Sequence, residues 1–434
     1  MTVMVTEAGD GVEIVFARVA GIDVGKREVA VTVRVPGAGP GAGRVEVTRK
    51  FKTFYPVLAV MAAWLAERGV THVVMESTGV YWRPVFHALC EAEPVEGVGF
   101  EVLLVNAGHV KNVPGRKTDV KDSQWLAQLL EVGLLRGSFI PPKDIAAIRE
   151  VTRYRKKLIQ TRTSELQRLG KVLEDAGIKI DSVASTLTTR SARDMIEALI
   201  GGQRDPRVLA DLARGVMRKK IPDLSMALAG RFADHHGVLA RLHLDMIDHL
   251  DATIARLDGQ IEVMTDPFAA QIRALCTIPG IAERTAQVIV SEIGVDMSRF
   301  PTPAHLASWA GLCPGNNESA GKHGRTRTRK GNQEIRTALV EAAWATARTQ
   351  TYLGARFRRL HRRFGRSNSA KAAVAIAHDL IIISWHILRD GVEFHDLGAD
   401  YFTRPSSPAH SRRKDHLVHE LQALGYTVQI TPAA

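Results

Sequence analysis

Asp119 and Asp122 stand three residues apart in Gly115-Arg-Lys-Thr-Asp-Val-Lys-Asp-Ser-Gln-Trp-Leu-Ala-Gln-Leu-Leu130. On a helix, residues at that spacing share a face, with Cβ atoms ~5–6 Å apart. Two carboxylates so placed repel unless a cation lies between them. Taken alone the pair is ordinary, because acids favour the first turn of a helix. Asp23 and Glu76 change its meaning, since each ends a predicted strand. Four hard oxygen donors from separate elements form a ligand set for one or two magnesium ions, or manganese. Two such ions ~4 Å apart stabilise the attacking and leaving oxygens of phosphoryl transfer. No Cys/His cluster competes for a softer metal. Cys90, Cys276 and Cys313 are isolated and odd in number, which suits a reducing cytoplasm.

A second chemical feature lies far downstream, in Leu312-Cys-Pro-Gly-Asn-Asn-Glu-Ser-Ala-Gly-Lys-His-Gly-Arg-Thr-Arg-Thr-Arg-Lys-Gly-Asn332. A lone serine such as Ser319 is ordinarily a surface or capping residue. Here Lys322, Arg325, Arg327, Arg329 and Lys330 follow it within a Gly-rich loop. A serine hydroxyl attacks phosphorus only if its proton affinity is lowered. A metal ion or nearby cations would do that, and arginines would hold the nonbridging oxygens. Upstream, Cys276-Thr-Ile-Pro-Gly-Ile281 joins two predicted helices in a helix-hairpin-helix pattern. Gly280 would let a backbone N–H approach a phosphate without reading bases. A plain helix connection has the same spelling.

These residues need positioning elements. Residues 1–12 read as a loose leader. Ile14–Val24, Glu28–Val35 and Arg44–Lys52 read as a three-strand antiparallel meander, broken by the Gly/Ala/Pro turn from Pro36 to Gly43. Val57–Arg68 reads as a helix, Thr71–Met75 as a buried strand, Tyr81–Glu91 as a helix and Glu101–Val105 as another buried strand. The amphipathic helix carrying Asp119 and Asp122 closes the set. Thr118 would cap it, and Trp125, Leu126, Leu129 and Leu130 would form its apolar face. That order is the order of the ribonuclease H-like fold, in which the first and fourth strands end side by side.

Asp144–Asp175 then reads as one long helix, and His235–Met264 as another. Leu239, Leu242, Met246, Leu250, Leu257 and Ile261 give the second a near-heptad stripe. Two such helices around shorter ones suggest a coiled-coil arm, or equally a plain helical bundle. Gln333–Arg348 and Ala370–Leu388 read as helices around the basic stretch Arg356–Arg366. The expected domains are a leader (1–12), an α/β metal-binding domain (13–140), a helical coiled-coil region (141–268), a mostly α C-terminal domain bearing Ser319 (269–400) and a loosely held tail (401–434).

The chain has 434 residues, 45% hydrophobic and 24% charged, with a formal net charge of +12. That balance is globular, and the excess of cations points to a polyanionic partner. No apolar run reaches the ~18 residues that span a membrane, and no basic amphipathic helix with an aromatic face stands out. Nucleic acid is therefore the expected partner, in the cytoplasm and beside the nucleoid, with no membrane.

At these residues the chain resembles the DEDD insertion-sequence transposases of the IS-one-ten family, over most of residues 20–400. Gly21-Ile-Asp-Val-Gly, Met75-Glu-Ser-Thr-Gly-Val-Tyr and Lys117-Thr-Asp-Val-Lys-Asp resemble its RuvC-like domain. Ile278-Pro-Gly-Ile and Leu312-Cys-Pro-Gly-Asn-Asn-Glu-Ser-Ala-Gly-Lys resemble its second transposase domain. The resemblance implies that Asp23, Glu76, Asp119 and Asp122 hold metal and that Ser319 is the nucleophile. It departs at the leader before Ile14 and at Ser123, where a small Ala is common. It further implies a recombinase that excises and inserts its own element through a covalent serine–DNA link. A composite site between subunits of a dimer or tetramer, donor and target DNA, and a structured guide (bridge) RNA that pairs with both DNAs complete the implied picture.

Three other readings compete. A ribonuclease H-like junction-resolving nuclease would use the same acids with water as nucleophile, and would need neither Ser319 nor its loop. A sugar-kinase or actin-like ATPase would need a second Asp-x-Gly phosphate loop after a strand; Asp175-Ala-Gly177 and Asp396-Leu-Gly398 follow helical segments instead. A non-catalytic scaffold would not need the four acids and Ser319 together.

Overall fold

The structure is a computed structural model. It describes residues 3–6, 13–39, 43–77, 79–92, 99–106, 122–315, 318–319, 322–323, 328–403 and 408–430. The chain divides into two compact units, Met1–Ile140 and Pro141–Ala434.

The first unit is built on one mixed sheet. Its strands are β1 (Val3–Thr6), β2 (Val19–Val24), β3 (Glu28–Pro36), β4 (Arg44–Lys52), β5 (His72–Glu76) and β6 (Glu101–Val105), in the spatial order β1-β4-β3-β2-β5-β6. The strands β1 to β4 pair antiparallel, and β5 and β6 join β2 in parallel. Residues 3–6, expected to be part of a loose leader, instead pair with Arg44–Val47 as an edge strand. The β-rich run Val-Met-Val-Thr finds an open strand edge there.

Side-chain alternation sends the sheet's two faces to different neighbours. Ala20, Ile22 and Val24 of β2, with Val29, Val31 and Val33 of β3, form the apolar face. Leu58, Met61 and Leu65 of α1 (Tyr55–Ala66) and Val85 and Leu89 of α2 (Trp82–Cys90) cover it. Each large side chain buried there stabilises by about 1.5–3 kcal/mol. The opposite face takes α3 (Asp122–Glu131), whose Leu126, Ala127, Leu129 and Leu130 pack on Val19, Val74 and Val105. Gly21 decides how close α3 comes. A Cβ at that position would lie 2.2 Å from Ser123 O and 2.5 Å from Ala127 N.

Polar groups complete this second face. Thr32 shares hydrogen bonds with Thr48 (2.8 Å) and Ser123 (2.9 Å). Glu131 receives Arg34 at 2.7 Å and Arg44 at 2.5 Å, and Arg34 also pairs with Glu46. Gln124 donates to Glu46 at 2.8 Å. Burial pulls the Arg44 guanidinium below its usual range, and Glu131 pulls it back.

In the second unit, α4 (Lys143–Asp175) and α5 (Asp234–Thr265) pack along each other. Arg155 pairs with Asp258, Arg162 with Asp251, and His243 with Glu165. The short helices between them, Arg190–Ile200 foremost, build a core from Leu169, Leu173, Ile196, Leu199, Leu244 and Ile247. The expected stripe on α5 is only partly inward. Leu250 and Ile261 are buried, but Leu239, Leu242 and Met246 are exposed. The inward positions are instead His236, Gly237, Ala240, Leu244 and Ile247, where Gly and Ala admit close packing.

Beyond them come α6 (Ala269–Cys276), α7 (Glu283–Ile293), α8 (Pro303–Trp309), the two-residue strands β7 (Glu318–Ser319) and β8 (Lys322–His323), α9 (Gln333–Thr346), α10 (Tyr352–Phe364) and α11 (Ser369–Asp390). Among the described helices, the one ending at Asp390 is long and apolar enough to cross a membrane, with half of its most apolar stretch buried. It packs against α8, α9 and α10, and Trp385 Nε1 donates to Phe300 O at 2.9 Å. The tail, expected to be loose, contains a helix, Pro408–Ala423.

Candidate functional site

The sheet register brings two of the four acids together. Ile22 lies opposite Met75 across the parallel β2–β5 pair, so Asp23 and Glu76 follow side by side at the strand ends. Both share the parity of Val19 and Val74, which places them on the α3 face. Asp122 opens α3 itself. The Gly21 approach and the Glu131 ion pairs hold that helix down, so they set where Asp122 stands.

Burial and then the Asp122 charge push the Asp23 carboxyl above the ordinary range, while Lys50 pulls it down. Lys50 faces Ala30, which in turn faces Asp23. Lys50 spends its charge on Glu28 at 2.5 Å. Among the described residues, no ion pair neutralises Asp23. Asp119 and its expected cap Thr118 lie outside the described residues. Hard carboxylates beside one another could hold a divalent cation, which would relieve their repulsion.

The serine lies on a short ribbon. The backbone of Ser319 pairs with Lys322, and that of Glu318 with His323. Pro314 bridges to Thr328 further down. Arg325 and Arg327 lie outside the described residues; Arg329 and Lys330 are exposed. The foot of the loop is tightly built. A Cβ on Gly331 would fall 2.3 Å from Gly311 N, so two backbones cross there. The Asn332 N–H donates to Trp309 O at 3.1 Å. Its side-chain oxygen caps α9 at Glu334 N (2.9 Å) and Ile335 N (3.1 Å), and its amide nitrogen donates to Glu292 at 2.6 Å.

Glu292 is 1% exposed and also receives Arg153 through two bonds of 2.7 and 2.8 Å. This anchor escaped the sequence reading. Its one signal was a glutamate inside the apolar run Val288-Ile-Val-Ser-Glu-Ile293.

Gly280 joins α6 to α7 at φ +88°, and a Cβ there would meet Thr346 Oγ1 at 2.2 Å and Ala342 O at 2.5 Å. Packing against α9 therefore gives this glycine a structural reason of its own.

A third cluster joins Asp175, His235 and His236, with ligand atoms within 4.8 Å of one another. His236 Nδ1 accepts the Ala233 N–H at 3.0 Å, so neutral His236 keeps its proton on Nε2 and donates it to Asp175 at 3.0 Å. That proton sits where an ion would bind. The cluster is a helix cap that ties the end of α4 to the start of α5.

Comparison with known proteins agrees with this layout. The DEDD transposase model of the IS110 class matches residues 20–178, and the model described as "Transposase IS116/IS110/IS902 family" matches residues 272–358. A protein named as a transposase in Sinorhizobium fredii is 23% identical over 324 residues, covering 68% of this chain and 71% of that protein. The 43.6 kDa protein of insertion element IS110 from Streptomyces coelicolor is 34% identical over 136 residues, 31% of this chain and 33% of that protein. The pilin gene-inverting protein of Moraxella bovis is 30% identical over 155 residues, 35% of this chain and 48% of that protein. The mixed sheet with its helical remainder fits a RuvC-like transposase. With two models of one class matched in chain order, one on the acid-bearing unit and one on the serine-bearing unit, the chain belongs to the IS110 family of transposases.

Proposed function

We propose that this transposase breaks and rejoins DNA by transesterification, with Ser319 as nucleophile and Asp23, Glu76, Asp119 and Asp122 as the ligands of magnesium or manganese. The observation that carries it is the adjacency of Asp23, Glu76 and Asp122 on one face of the sheet, with burial and then Asp122 raising the Asp23 carboxyl. A bound divalent ion would supply charge neutralisation at the phosphate and a lowered proton affinity for the attacking hydroxyl.

The chain's own residues do the rest. Ser319 Oγ attacks phosphorus and its proton passes to solvent. One phosphodiester bond breaks, its oxygen takes a proton from solvent and leaves as a strand-end hydroxyl, and a serine–phosphate ester takes its place. The number of ester bonds is conserved, so a hydroxyl of another strand reverses the step without an external energy source. Lys322, Arg325, Arg327, Arg329 and Lys330 neutralise the phosphate and hold its oxygens. The Gly280 turn contributes a backbone N–H to the DNA backbone.

The partners in this reading are donor and target DNA, a structured guide RNA that chooses the sequence, and further copies of the chain. The gene-inverting names of the Moraxella relatives favour recombination over simple cleavage. The competing nuclease reading uses water in place of Ser319.

The test is a nicked, end-labelled substrate with magnesium, run on denaturing gels and followed by peptide mapping. Wild type is expected to give an adduct on Ser319. Ser319→Ala is expected to lose the adduct and recombination while binding DNA normally. Recombination by Ser319→Ala, or an adduct on another residue, overturns the assignment.

A further inference from the structure

Charge is not spread evenly along this chain. Between residues 322 and 371 there are 14 Lys and Arg but two acids, Glu334 and Glu341. That segment alone accounts for the +12 of the whole protein; the remaining residues hold 44 cations and 44 acids and are neutral. The segment begins in the Ser319 loop but runs far beyond it, through α10 and into α11.

Its cations divide by what they touch. Arg356 is fixed to Asp379, and Arg358 donates to Ala347 O at 3.3 Å and Thr349 O at 3.0 Å. These two brace α10 against its neighbours. Arg359 lies over the Phe402 ring at 5.2 Å with its outer side in solvent. Arg362, Arg363, Arg366 and Lys371 are exposed, and among the described residues no acid pairs with them. On α10, Arg359, Arg362 and Arg363 fall within one arc of roughly 100°.

Helix electrostatics explain only part of this group. Arg362 and Arg363 sit in the last turn of α10, where the dipole favours cations. Lys371 sits in the first turn of α11, where it disfavours them, and no acid shares that turn. Arg366 lies between the two helices. Four exposed like charges within ten residues of chain, none paired with an acid among the described residues, attract a polyanion.

We infer that Arg362, Arg363, Arg366 and Lys371 form a phosphate-binding surface for the backbone of duplex DNA, separate from the Ser319 loop in sequence and in task. It rests on the proposed action on DNA, and it assigns this face to holding the duplex rather than to reacting with it. Arginine and lysine side chains bound to phosphates in this way position a duplex without reading its sequence.

The test uses the full-length chain and a 30-base-pair duplex of arbitrary sequence, with binding followed by fluorescence anisotropy across a salt series. Replacing the four residues with glutamine is expected to flatten the log–log salt slope by about 0.9 for each phosphate that is no longer neutralised, so by up to ~3.6. The melting temperature should hold. Arg356→Gln is expected to do the reverse, lowering the melting temperature with the slope unchanged. An unchanged slope in the quadruple variant overturns the surface, and so does a slope change in Arg356→Gln. A structured RNA hairpin is run in parallel; loss of RNA affinity with duplex affinity intact overturns the DNA assignment. The quadruple variant at saturating nicked substrate should still form the Ser319 adduct. Loss of adduct in Ser319→Ala alone therefore tests the chemistry independently of this surface.

Discussion

Two kinds of carboxylate occur in this molecule. Glu131 and Glu292 are almost wholly buried, at 4% and 1% exposure, and each is surrounded by guanidinium groups. Asp23 and Asp122 stand near each other, and partial burial and then the Asp122 charge raise the Asp23 carboxyl. The first kind is matched by donors of the fold itself, so it needs nothing further. The second kind is left with like charge beside it, an arrangement that costs stability until a cation arrives. A perturbed carboxylate beside like charge is the pattern of a candidate site, whereas burial among ion-pair partners is the pattern of a strut.

The sharpest way to break this contrast is to neutralise one acid of each kind and compare the outcomes. Glu76→Gln or Asp122→Asn is expected to reduce strand cleavage by at least about a thousandfold while leaving duplex binding and melting temperature near wild type. Cleavage assays and anisotropy on the same preparations check this. Cleavage at wild-type rate in either variant removes the acids from the chemistry.

Glu131→Ala and Glu292→Ala should behave in the opposite sense. Glu131→Ala strands the Arg34 and Arg44 guanidinium groups, 11% and 8% exposed, and Glu292→Ala strands that of Arg149, 13% exposed, each at a cost of about 3–5 kcal/mol. Denaturant melts followed by circular dichroism measure it. The Glu131 change should also impair cleavage in the folded fraction, since Glu131 holds the helix that carries Asp122. A destabilisation below about 1 kcal/mol in both would erase the distinction between the two kinds.

The smallest expected effect concerns Asp23. Its raised carboxyl favours the protonated form, so the metal-free fold is favoured below the unfolded carboxyl range and loses that advantage as pH rises through the raised value. Asp23→Asn should therefore raise the metal-free melting temperature near neutral pH, by about 1 °C after solvent screening. Magnesium at ten times its Kd should stabilise the wild type by about 1.4 kcal/mol and the variant much less. A thermal scan with and without magnesium decides it. Equal magnesium shifts in both proteins would detach Asp23 from the metal.

Much of the acid-bearing unit was legible because its signals are local. Alternating β-formers, the Gly/Pro turns and the apolar runs ending at Asp23 and Glu76 placed four of the strands within a residue, but the first begins at Val19 and not at Ile14. The misses have one physical cause. Val3–Thr6 became a strand only because β4 offered an open edge, and the apolar residues of α5 could not say which stripe would face inward. Ala240 and Gly237 won that face over Leu239 and Leu242, because close helix packing rewards small residues there and no periodicity records it.

By itself, then, the sequence carries the acids proposed as donors, their places at strand ends, the serine in its basic loop and the excess of cations. Each is a matter of residue type and short-range spacing. The tertiary structure alone decided which carboxylates meet arginine and which meet one another. Glu131 lies 97 residues from Arg34, and Glu292 lies 139 residues from Arg153. Only the fold closes those loops, and with them it separates the carboxylates that meet guanidinium groups from the carboxylates that meet one another.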